Sequence, residues 1–170
     1  MDRCYKVIVS LLIIISIFIP YDKVLAYTNE SEDESVPAVK TSSKKENKTV
    51  INLTNEEILL LSKLVTSEAR GESYEGQVAV AAVVINRVKD NRFPNSIEDV
   101  IYQKNAFSVV KDGSINMEPT DEAHRAAQDA LYGNDPTDKA VYFWNPEIST
   151  CKWIEKLKPH MRIGNHVFAK

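Results

Sequence analysis

Apolar side chains recur at helical spacing from Ile58 through Leu61, Leu64 and Val65, and the next position on that stripe is Glu68. Thr54, with Glu57 three residues later, has the form of a capping box, so a helix opens there, runs towards Ala69 and stops at Gly71. The run Val78 to Ile85 is apolar nearly all round and predicts a central helix over Gln77–Lys89, beginning at Tyr74 or Glu75. Its continuation through Asn86-Arg87-Val88 favours helix over strand, and Arg92-Phe93-Pro94-Asn95 ends it. Ser96 caps a short helix, Ile97 to Tyr102. Phe107 to Val110, leading into Lys111-Asp112-Gly113, reads as a strand entering a turn. Thr120-Asp121-Glu122 opens another helix through Leu131-Tyr132, closed by Gly133-Asn134. Ala140 to Trp144 and Ile163 to Phe168 are strand candidates. Helices first and short strands later predict an α+β domain, with helices packed on a small antiparallel sheet.

Glu68 is the position where this pattern meets chemistry. Leu64 and Val65 lie one turn before it, so its carboxyl leaves the helix beside apolar neighbours. Desolvation disfavours a carboxylate and raises its pKa, as a general acid working near neutral pH requires. The alternative is a helix-end glutamate paired with Arg70 or Lys63 at the surface.

The amino terminus adds a targeting signal. A short basic stretch around Arg3 and Lys6 precedes the apolar run Val7 to Ile19, and Val24-Leu25-Ala26 supplies a cleavage site. The run is shorter than the roughly 20 residues of a spanning helix. The expectation is therefore a secretory signal, residues 1–26, with an uncleaved anchor as the alternative. Residues 27–50 form a polar linker, first acidic and then basic. Residues 51–170 remain for one catalytic-size domain. Cys4 leaves with the signal and Cys151 is then alone, so stability has to come from the core. A net charge of −3, with no basic stripe or Lys/Arg cluster within residues 51–170, argues against nucleic acid as partner.

Other chemistries find little support. There is no HExxH or CxxC, and His124, His160 and His166 are spread apart, with His124 expected on an exposed helix face. No metal or cofactor is expected. A GxSxG elbow is also absent. Carboxylate chemistry remains, beside loops rich in Tyr, Trp and Asn, which suit carbohydrate: aromatic faces stack on sugar rings and amides bond their hydroxyls. Tyr142, Trp144, Asn145 and Trp153 are candidates for such a cleft, although Phe143 or Tyr142 has to face the core by strand alternation and Trp153 could equally cap it. A second carboxylate, Glu72 or Glu75, is not singled out by spacing. A single acid suffices if the muramyl sugar's own 6-hydroxyl attacks the anomeric carbon.

The ordered set Leu64-Val65, Ser67-Glu68-Ala69-Arg70-Gly71-Glu72, Gly76 to Val83, Asn86-Arg87-Val88, Phe93-Pro94 and Ala106-Phe107-Ser108 resembles the catalytic domain of the SleB/CwlJ cell-wall hydrolases. So do Asp135-Pro136-Thr137, Tyr142-Phe143, Asn145-Pro146, Lys152-Trp153, Ile163-Gly164 and His166-Val167-Phe168. The resemblance implies a lysozyme-like or resuscitation-promoting-factor-like fold. It also implies lytic transglycosylation of muramic-δ-lactam peptidoglycan in the spore cortex during germination, with Glu68 as the acid and no metal in the glycosidase chemistry. It further implies a place in the cortex or wall, and an accessory spore protein as a possible partner. Gln77, Phe107, Ser108, Tyr142 and Asn145 are the residues expected to line the cleft. An N-acetylmuramoyl-L-alanine amidase and a non-catalytic wall-binding module are the alternatives. SleB proteins generally carry a peptidoglycan-binding repeat domain where this chain has its polar linker.

Overall fold

The computed structural model describes residues 48–170. The expected signal and the linker up to residue 47 lie outside the described residues. Five α-helices come first: α1 (Asn55–Glu68), α2 (Tyr74–Lys89), α3 (Ile97–Tyr102), α4 (Ser108–Asp112) and α5 (Asp121–Leu131). Three strands follow: β1 (Tyr142–Trp144), β2 (Met161–Ile163) and β3 (His166–Ala169). The architecture is α+β, as the sequence pattern requires.

α2 is the axis of the domain. Its residues from Gly76 to Ile85 are all buried, and it packs against α1, α3, α5 and the sheet. Its alanines let neighbours approach closely, while Val80, Val83 and Val84 are wholly buried, each contributing about 1.5–3 kcal/mol through removal from water. Ser73 caps this helix, its Oγ accepting from the Gly76 N–H at 3.2 Å. The capping box of α1 forms in full: Thr54 N–H donates to Glu57 Oε2 at 2.9 Å, and Glu57 N–H to Thr54 Oγ1 at 3.2 Å. Just before Ile51, the Val50 N–H donates to the Leu131 carbonyl at 2.9 Å.

The sheet order is β1-β3-β2, antiparallel throughout. Phe143 pairs with Phe168, and Phe168 with Met161. By alternation these side chains share the face that packs on Ala79 and Val83 of α2. Trp144, Val167 and Ala169 occupy the opposite face, covered by Ile154 and Leu157 from the preceding loop. Phe143 is thus the core-facing member of the Tyr142-Phe143 pair.

Three expectations are corrected. Phe107 to Val110 is not a strand: Phe107 precedes α4, and Gly113, at φ 84°, ends it in the left-handed region. Strand composition (Phe107, Val109, Val110) is overridden because a helical turn leaves amide donors free at its start, and one of them is used by Glu68. Ile163 to Phe168 is not one strand but the turn and one arm of a hairpin, with Gly164-Asn165 between β2 and β3. His124 is half-buried rather than fully exposed. Its Nδ1 lies 3.1 Å from Ser62 Oγ on α1, and its Nε2 lies 3.1 Å from Gln128 Nε2. Among the described residues no helix is long and apolar enough to cross a membrane.

Candidate active site

α1 delivers Glu68 on the same stripe as Leu61, Leu64 and Val65, each fully buried. The carboxyl therefore turns inward, and its Oε1 has neither exposed surface nor a hydrogen-bond partner. Burial pushes the acid up from 4.5 to about 7; a hydrogen bond from the Val109 backbone N–H opposes this, Asp112 adds to it, and the Arg87 cation opposes it. The surface alternative is not what forms. Among the described residues no ion pair joins Glu68 to Arg70 or Lys63, and Arg70 instead reaches Met117 Sδ at 3.7 Å.

Arg87 is the cation that acts on this acid, and it was not singled out by the sequence reading. Its Nε donates to the Val141 carbonyl at 2.7 Å, and its guanidinium lies 5.0 Å from the Phe107 ring, 5.3 Å from Phe93 and 5.9 Å from Tyr142. Desolvation lowers its pKa to about 10, while Tyr142 and Glu68 act to raise it. A cation held among three rings fixes the positions of those rings as well as adding charge. The signal was present in the sequence: Arg87 continues the buried stripe Val80, Val83, Val84 of α2, as Glu68 continues that of α1.

The expected cleft residues fall into two groups. Phe107 and Tyr142 stand together around Arg87, and Phe107 also meets Phe143 at 6.3 Å. Ser108 is exposed at the start of α4, next to Val109. Gln77 is tied instead to the turn after α1: its Nε2 donates to the Glu72 carbonyl at 3.4 Å. With Thr66, Ala69, Arg70 and Gly71 it lines a shallow hollow there. Asn145 shapes the turn after β1, its Oδ1 accepting from the Glu147 N–H at 2.9 Å. Trp144 is buried on the outer sheet face and Trp153 is exposed, so neither behaves as the other does.

Glu72 has a different setting. Asn165 donates to its Oε1 from Nδ2 at 2.9 Å and to its Oε2 from the backbone N–H at 3.2 Å. The carboxylate fills the space at Gly164, where a Cβ would collide with Oε2. Gly164 also has φ 56°, so glycine suits the position twice over. His166 Nδ1, buried and without a hydrogen-bond partner, lies 4.0 Å from Glu72 Oε1. Burial lowers the His166 pKa, and Glu72 acts against that. Glu72 and His166 form a pair; among the described residues no group of three or more His, Cys, Asp or Glu gathers as a metal site.

The family described as Cell Wall Hydrolase matches residues 71–169, a span that begins just after Glu68. The chain is 47% identical over 116 residues to a spore cortex-lytic enzyme of Bacillus subtilis, covering 68% of this chain and 38% of that protein. It is 27% identical over 104 residues to the cell wall hydrolase CwlJ of Bacillus subtilis, 58% of this chain and 73% of the relative. The chain thus spans less than half the length of the spore cortex-lytic enzymes it matches. The catalytic domain of the Bacillus cereus SleB protein superposes with a TM-score of 0.66 at 41% identity, over 76% of this chain and all of that one. That of the germination-specific lytic transglycosylase SleB from Bacillus anthracis gives 0.67 at 43% identity, over 69% and 97%. The helices and small antiparallel sheet described above are the α+β, lysozyme-like arrangement of those domains.

Proposed function

The chain belongs to the cell wall hydrolase family, and on that premise we propose that it is a secreted peptidoglycan glycosidase that uses Glu68 as its single acid and base. The observation that carries this reading is the buried carboxyl of Glu68, raised to about 7 and with one oxygen free of partners. At neutral pH a large share of such a group holds its proton, ready to give it to a glycosidic oxygen. As the bond between that oxygen and the muramyl anomeric carbon breaks, the leaving sugar takes the proton. The muramyl 6-hydroxyl then bonds to the anomeric carbon and returns its own proton to Glu68, closing a 1,6-anhydro ring. The Val109 N–H and the Arg87 charge ease the short-lived carboxylate between the two transfers.

The substrate we propose is the muramic-δ-lactam peptidoglycan of the spore cortex, reached during germination, with an accessory spore protein as a possible partner. The names borne by the relatives support that choice. Phe107, Ser108, Tyr142, Gln77 and Asn145 are proposed to contact the glycan strand. The test is to incubate the protein with purified cortex peptidoglycan and identify the fragments by mass spectrometry. Anhydromuramyl ends are expected. Reducing muramic ends would replace transglycosylation with hydrolysis, and free stem peptides would replace the glycosidase with an amidase.

A further inference from the structure

Trp153 is 56% exposed, while the next residue, Ile154, turns inward against the Trp144, Val167 and Ala169 cluster. The segment that follows it is anchored rather than trailing in solvent. Ile154 and Leu157 pack on the outer sheet face, and the His160 N–H donates to the Phe168 carbonyl at 3.0 Å. His160 Nε2 also lies 2.9 Å from the Thr137 carbonyl. The indole meets the Tyr142 ring edge to face, with centroids 5.8 Å apart and planes at 81°. Such a contact covers at most one face of the indole and leaves the other open. A chain fixed just after a large aromatic group, with that group stacked edge to face on one neighbour and otherwise exposed, holds the indole in place as a contact surface.

The position of this surface says what it meets. Tyr142 touches Trp153 on one side and stands 5.9 Å from the Arg87 guanidinium on the other, and Arg87 acts on Glu68. The indole therefore extends the group of rings around Arg87, the cation whose charge acts on the acid. We propose that Trp153 is a saccharide platform at the rim of the Glu68 site, its open face taking the apolar C–H face of a pyranose ring further along the strand. The platform rests on the glycosidase reading for its ligand class. It extends that reading by giving the site a grip on sugars beyond the bond that is cut.

The chain has two tryptophans, Trp144 and Trp153, and the former is only 8% exposed. A ligand reaching the surface therefore alters the emission of Trp153 rather than that of Trp144. The full chain carrying Glu68→Gln, which cuts at least about a hundredfold more slowly, is titrated with soluble glycan strands prepared from cortex peptidoglycan and freed of stem peptides. A saturable blue shift is expected, and it disappears in a Glu68→Gln, Trp153→Phe chain. In the chain with Glu68 intact, Trp153→Ala raises KM about tenfold, the factor one lost aromatic contact carries, with kcat within about twofold. Trp153→Phe restores most of that KM. An unchanged melting temperature in both variants keeps the readout free of folding effects. No shift at saturation, or a Trp153→Ala variant with unaltered KM, would overturn the platform while normal cleavage left the glycosidase standing. A chain that shifts its emission but cuts no cortex keeps the platform and loses the glycosidase.

Discussion

Glu68 and Glu72 lie four residues apart in one E-A-R-G-E motif, yet the fold treats them in opposite ways. Glu68 sits on an apolar helix face with one oxygen unpartnered, and burial drives its pKa to about 7. Glu72, beyond the Gly71 turn, has both oxygens held by Asn165 and its carboxylate seated against Gly164. The difference is made by hydrogen-bond partners rather than by residue type. One carboxyl is kept free to exchange a proton, and the other ties the loop after α1 to the β2–β3 hairpin.

The largest test of that contrast is Glu68→Gln, which keeps the shape and removes the acid. Turnover falls by about two orders of magnitude or more, with binding to the wall polymer retained in a pull-down assay. If Glu72→Gln instead produced that loss, the roles would be reversed. Stability should separate the two carboxyls as well. A carboxyl whose folded pKa lies above its unfolded value binds its proton more tightly when folded. Its contribution to stability is therefore complete below about 4.5 and is lost as pH rises through about 7. Denaturant titrations should show Glu68→Gln stabilised at pH 8 by about 2–3 kcal/mol relative to the parent, and hardly at all at pH 4. Gly164→Ala attacks the other side of the comparison. A Cβ at φ 56° and against Glu72 should cost about 2 kcal/mol in the same titrations. Arg87→Met should cost about 1–3 kcal/mol by leaving the Val141 carbonyl without its donor. Removing its positive charge should also move the alkaline limb of the pH–activity profile upward, because Arg87 lowers the Glu68 pKa. The smallest effect is that of Glu72→Gln on turnover, expected to stay within about tenfold, with about 1 kcal/mol of stability lost through the weakened Asn165 bonds.

Much of the helical half was legible because its signals are local. Thr54 with Glu57, Ser96 and Thr120 announce α1, α3 and α5, and the apolar stripe by itself points Glu68 inward. α4 was misread because Phe107, Val109 and Val110 have strand composition, and the demand for a helical amide donor comes from Glu68, forty-one positions earlier. The hairpin was misread as one strand because Gly164 and Asn165 sit inside a β-rich run. The setting of Glu72 could not be read locally at all, since its partner Asn165 is 93 residues away. Arg87 was overlooked although it lies on a buried helical stripe, the same cue that identified Glu68. A charged residue on an apolar stripe therefore points to the site wherever it occurs.

The most direct test is a carboxyl carbon-13 NMR titration of the glutamate-labelled protein, run in parallel on Glu68→Gln. One glutamate resonance should titrate near pH 7 and be missing from the variant. If every glutamate titrates in the ordinary range between about 4 and 5, Glu68 is not held as an acid by its surroundings, and the single-acid reading of this site fails.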